Sequence, residues 1–144
     1  MQTAKEYLCK LEKLDVLIKN KKDELNNLRQ MATSIASKFG ETVKSTPTGD
    51  TQERKILEWV ALEEEIENDM LDYMKLKNKI SNQIGDLEDV RYVKLLYKRY
   101  VEHKRLKVVA REMHYDYQWT KTLHGEALQE FERTYLNIPK DVLV

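Results

Sequence analysis

Apolar residues return at alternating spacings of three and four through Ala4, Tyr7, Leu11, Leu14 and Ile18, then Leu25, Leu28, Ala32, Ile35 and Phe39, broken only where Lys21 takes the expected place. This repeat lines one face of a helix and leaves a stripe that a single helix cannot bury, so it predicts a coiled-coil-like seam against a second helix. Thr3 and Glu6 precede it at the spacing that lets each side chain satisfy an orphan backbone amide. A second repeat runs through Ile56, Trp59, Ile66, Met70, Tyr73, Ile80 and Ile84, with Glu63 and Lys77 falling on the same face. Between the two lies ETVKSTPTGD, whose polarity, Pro47 and Gly49 predict a loop, with Asp50 and Glu53 capping a helix that starts near Asp50 or Thr51.

The expected fold is therefore all-α. Helices over about residues 3 to 38 and 51 to 84 should form a long N-terminal antiparallel helical hairpin, because residues 1 to 39 carry eight Lys or Arg against five acids while 41 to 89 carry six against thirteen. Opposite net charge favours pairing. Scarce Gly and Pro, four and two in the chain, also favour long helices over sheet. Residues 1 to 84 form the expected hairpin for oligomerisation or partner binding, 85 to 135 a second domain, and 136 to 144 a tail. Leu62, Leu71, Met74 and Leu76 lie off the seam and should form an apolar flank, which predicts a homo-oligomer, a dimer or higher. The run EEEIEND reads as a solvated face, with an acidic surface for a basic partner as the alternative.

Gly85 and Asp86 mark a stop and a fresh cap, after which Leu87, Val90, Val93, Leu96, Tyr97 and Tyr100 form another amphipathic helix. The stretch AREMHYDYQWTKTLHGEAL then holds two short amphipathic segments separated by HYDY. Val109, Ala110 and Met113 precede the break, and Trp119, Leu123, Ala127 and Phe131, spaced by four, should face the core after it. That is helix, turn, helix, with Asp116 capping the second helix. Residues 91 to 125 carry nine Lys or Arg against three acids, a formal charge of +6 in a chain whose total is zero. A basic patch around such a motif is the electrostatic footprint of a nucleic-acid binder.

The run LEDVRYVKLLYKRYVEHKRLKVVAREMHYDYQWTKTLHGEAL resembles region 4 of bacterial RNA polymerase sigma factors. It is most similar to small phage and prophage proteins of Gram-positive bacteria that carry a region-4-like helix-turn-helix behind an N-terminal helical part. The matching positions are Arg99 and Tyr100, Val109 and Ala110, Met113 and Tyr115, and Leu123, Ala127 and Leu128, within roughly residues 86 to 131. In three places the sequence departs from that pattern: His103 stands where glycine is usual, Asp116 where serine is common, and Thr120 where a branched apolar residue is common.

The resemblance implies a DNA-binding transcriptional regulator, acting on late phage genes or through host RNA polymerase. It implies reading positions at Tyr117, Gln118, Lys121 and Thr122, with Gln suited to adenine and Lys to guanine or phosphate. Lys104, Arg105 and Arg111 would contact the backbone of double-stranded DNA. Two other classes stay open at this point: a small-terminase-like packaging protein that recognises DNA, and a structural coiled-coil adaptor without DNA binding.

Catalytic and metal chemistry find no pattern here. His103, His114 and His124 lack the spacing of a helical zinc site, no glycine-rich phosphate loop is present, and the single Cys9 offers neither an internal disulfide nor a thiolate cluster. The expectation is no enzyme, no cofactor and no metal. No apolar run reaches the roughly 18 to 20 residues of a membrane span, and MQTAKEYLCKLEK is too charged for a signal peptide, so an intracellular protein is expected, which the resemblance would place in the cytoplasm of a bacterial host cell.

Overall fold

The computed structural model describes residues 2–41 and 48–137, with side chains placed outside 34–41 and 48–51. Every regular element among the described residues is helical: α1 (Ala4–Glu41), α2 (Thr48–Gly85), α3 (Val90–Leu96) running into a π-helical turn (Tyr97–Val101), α4 (Leu106–Met113), and α5 (Tyr117–Phe131) followed by a second π-helical turn (Glu132–Leu136). No described helix is long and apolar enough to cross a membrane. α2 begins at Thr48, so the expected loop gives way to helix before Asp50. The apolar positions Ile35 and Phe39 and the expected cap at Asp50 have side chains outside the described set. At the start of α1 the reciprocal cap is formed: the Glu6 amide donates to Thr3 Oγ1 at 3.2 Å and the Thr3 amide to Glu6 Oε2 at 3.4 Å.

The chain divides into two compact units, one of Leu14–Asp72 and one comprising residues up to Lys13 together with Tyr73 onward. In the first, Leu25, Leu62 and Ile66 are buried together, with Leu28 and Trp59 packed against them. Lys21 Nζ donates to Asp69 at 2.6 Å, and Arg29 pairs with Glu63. Partners on α2 thus move back along the chain as residues on α1 advance, which is antiparallel packing. Glu63 also accepts from Trp59 Nε1 at 2.8 Å, and the Arg29 guanidinium lies 5.3 Å from that indole ring.

The α2 seam differs from the expected one by a single position. Trp59 and Ile66 belong to it, but their companions are Leu62 and Asp69, both turned inward, while Met70 is 41% exposed. In the second unit the same choice puts Leu76 against the core and leaves Lys77 exposed. Both sets satisfy a three-four repeat. The structure takes the one that packs Leu62 and Leu76 inward and sets Asp69 against Lys21, whereas the other row would turn the Lys77 ammonium toward the core in place of Leu76. Leu62 and Leu76 are therefore not part of an exposed flank, whereas Leu71 and Met74 are exposed.

The second unit has a core that the boundary expected at residue 84 would have cut. Ala4, Tyr7, Leu8 and Leu11 of α1 and Ile80 and Ile84 of α2 are buried with Leu87, Leu95, Leu96, Tyr100, Val101, Val109, Leu123, Ala127 and Phe131. Tyr7 donates to Gln83 Oε1 at 2.7 Å, and Tyr135 to the Gln83 carbonyl at 2.6 Å. Three short helices expose too much apolar surface to stand alone, and the ends of the long helices cover it. Gly85 ends a helix without ending a domain.

Two local details also depart from the sequence reading. The cap of α3 is Asp89 rather than Asp86, its carboxylate accepting from the Arg91 amide at 2.9 Å, and Val90 is 62% exposed. His103 adopts the left-handed region, φ 59°, the conformation for which glycine is suited, so the turn is kept despite the side chain.

Candidate nucleic-acid interface

α4 carries Val109 and Ala110 inward and ends when His114 turns left-handed, φ 59° and ψ 39°. The His114 amide then donates to the Arg111 carbonyl at 3.2 Å and the Tyr115 amide to the Ala110 carbonyl at 2.9 Å, so the last carbonyls of α4 are satisfied while the chain reverses. Asp116 restarts the helix: its carboxylate accepts from the amides of Gln118 at 3.1 Å and Trp119 at 3.4 Å. HYDY is thus a left-handed stop followed by an acidic start.

The buried face of α5 is Thr120, Leu123, Ala127 and Phe131, not the spacing-of-four row beginning at Trp119. Trp119 is 42% exposed, while Thr120 is fully enclosed with its hydroxyl donating to the Asp116 carbonyl at 2.8 Å. The hydroxyl bond removes the penalty of burying a polar group, so threonine fills a place suited to a branched apolar residue. Thr120 takes the place expected of Trp119 while Leu123, Ala127 and Phe131 stay inward, and Gln118, Lys121 and Thr122 are exposed together on the first two turns, as expected. Tyr117 is different. Half-buried, its ring has Lys121 Nζ 4.5 Å and Lys107 Nζ 5.6 Å from its centroid, so it holds an ammonium from each helix of the motif.

The basic residues sort into two groups. Lys104 donates to Glu102 at 2.6 Å and to Glu112 at 2.8 Å, and Lys98 reaches the same Glu112 oxygen at 2.8 Å. Hydrogen bonds from Lys104 and Lys98 hold the Glu112 carboxyl below its ordinary range, and those to Glu102 and Glu112 raise Lys104. Arg91 pairs with Asp89, and Arg99 lies 3.9 Å from Glu12. By contrast Lys94, Arg105, Lys107, Arg111 and Lys121 are exposed and make no ion pair with any described residue. Of the expected backbone contacts, Arg105 and Arg111 are open to a phosphate and Lys104 is engaged. Lys107 was missed as an individual contact. Its place in the first turn of α4 could have suggested it, but only the position of the Tyr117 ring links it to α5.

Beneath the motif, the Tyr100 hydroxyl lies 2.7 Å from His124 Nε2. Burial, with Arg99 and Lys5 nearby, lowers the His124 pKa to about 4, and burial pushes Tyr100 up to about 12. Both are neutral near pH 7 and act as core groups. Beside the turn, a cleft of about 530 Å³ is lined by Arg91, Lys94 and Lys98 together with Glu112, Met113 and Tyr115. No protein-family model matches this chain, and no curated protein or solved structure is significantly similar to it.

Proposed function

We propose that the chain is a phage or prophage DNA-binding regulator of transcription whose α4–turn–α5 segment reads double-stranded DNA. The observation that carries this reading is the exposure of Gln118, Lys121 and Thr122 together at the N-terminal end of α5, with Arg105, Lys107 and Arg111 exposed and in no ion pair with a described residue and Lys107 reaching the Tyr117 ring at the start of α5. In a helix-turn-helix that end of the second helix enters the major groove. Gln118 then has the donor and acceptor geometry for adenine, Lys121 reaches guanine or phosphate, and Thr122 accepts or donates to either. Arg105, Lys107 and Arg111 fix the register on phosphates. Tyr117 acts through the two lysines it holds rather than by entering the groove.

Action on late genes or through host RNA polymerase rests on the likeness to sigma region 4. A protein contact finds support in the cleft by Arg91, Lys94 and Met113, whose cations and apolar wall suit an acidic, partly apolar segment. The N-terminal helices supply further contacts to a partner or a second copy. The test is selection of duplexes from a random pool by the full chain, followed by footprinting. A recovered consensus protected in the major groove supports the reading; a pool that stays random through successive rounds counts against it.

A further inference from the structure

On α2, Leu57, Val60, Glu64, Glu67 and Leu71 follow one another at spacings of three, four, three and four, and all five are exposed. They form a second heptad stripe, separate from the Trp59, Leu62 and Ile66 seam that packs on α1 within the same unit. Leu57 is 68% and Leu71 56% exposed, large apolar side chains that the described residues leave open. The acids of the segment divide in the same way. Glu63 and Glu65, turned toward α1, pair with Arg29 and Lys21. Glu64 and Glu67, on the outer stripe, make no ion pair with any described residue.

We propose that this stripe docks a basic amphipathic helix from another protein, one that presents apolar residues at its two ends and Lys or Arg at its centre. The stripe spans about 21 Å, two heptads, which suits a partner helix of similar length. Charge decides against a second copy of the same stripe. Antiparallel pairing centred between Glu64 and Glu67 sets Glu64 of one chain against Glu67 of the other at both central layers and Val60 against Leu71 outside them, and parallel pairing sets each glutamate against itself. Both arrangements bury like charges between the apolar ends. A helix with central Lys or Arg turns the same two positions into attractive pairs and covers Leu57, Val60 and Leu71 as well. This docking is independent of DNA binding by the other unit.

The experiment uses the full chain and a labelled synthetic helical peptide with leucines at the end positions of a two-heptad seam and arginines at the central ones, read by fluorescence anisotropy. The comparison peptide has glutamates in place of the arginines. Wild type should bind the arginine peptide about tenfold more tightly than the glutamate peptide, and the Glu64→Lys, Glu67→Lys double variant should reverse the order. Leu71→Asp should abolish both. Equal binding of the two peptides overturns the proposal. So does a stable dimer, seen by light scattering, in which the Val60→Cys, Leu71→Cys double variant on a Cys9→Ser background cross-links between chains, because a second copy would then occupy the stripe in parallel or antiparallel register.

Discussion

Tyr100 and His124 sit with ring centroids 5.7 Å apart and nearly parallel planes, joined through the tyrosine hydroxyl and His124 Nε2. The imidazole comes from α5 and the phenol from the π-helical turn after α3, so the pair ties α5 to that turn. Because the His124 pKa is lowered to about 4, the folded state holds this ring neutral where an unfolded chain, near 6.5, begins to protonate it.

Stability should accordingly fall as acid is added. The His124 contribution is complete above about pH 6.5, is lost progressively as pH drops toward 4, and is gone below that. Allowing for solvent access to the ring, the loss is on the order of 1 to 2 kcal/mol. Urea denaturation between pH 7 and pH 4 measures it, and His124→Gln should flatten the dependence in that window. An equal slope in the variant assigns the acid sensitivity to other groups.

The two sides of α5 should respond differently to truncation. Leu123→Ala removes a fully buried side chain and should cost about 2 to 5 kcal/mol. Trp119→Ala, on the exposed flank, should cost less than about 1 kcal/mol. Thermal unfolding of both variants decides it; a larger loss at Trp119 would return that residue to the core.

His114 is exposed and left-handed, a conformation that costs a residue with a Cβ about 1 to 2 kcal/mol. His114→Gly should therefore raise stability by about 0.5 to 1 kcal/mol, and His114→Val should lower it. His103→Gly should not gain as much, although its φ is the same, because the imidazole lies 3.2 Å from the Tyr73 hydroxyl. A calorimetric comparison of the three variants separates backbone strain from side-chain contact.

Much of this was legible in the sequence. The spacing around HYDY placed both helices and the Asp116 cap, since capping and the interruption of apolar periodicity act within a few residues. The core face of α5 was not, because the row through Trp119 and the row through Thr120 share Leu123, Ala127 and Phe131 and differ only in which flank the tertiary packing turns inward. α2 offered the same ambiguity between Leu62 with Asp69 and Glu63 with Met70. It was settled by what stands on α1, where Lys21 reaches Asp69. Pairings across a turn, such as Lys104 with Glu112 and Lys107 with the Tyr117 ring, follow from loop conformation at His103 and His114, which apolar spacing does not encode.

Tyr117 provides a sharp case. If its ring presents Lys107 and Lys121 to phosphates, Tyr117→Phe should keep DNA affinity and salt dependence, while Tyr117→Leu should lower the slope of log affinity against log salt by about one unit. Loss in the Phe variant as well would instead give the hydroxyl the contact.

The central claim is tested most directly by titrating the full chain with a selected duplex and a random duplex over a series of salt concentrations. Gln118→Ala should cost about 1 to 3 kcal/mol on the selected duplex and little on the random one. Arg111→Ala should weaken both alike and lower the salt slope by about one unit, and Lys104→Ala, already held by Glu102 and Glu112, should do less than Arg111→Ala. Absence of binding at low salt, or affinities unchanged in all three variants, would contradict DNA reading by α5.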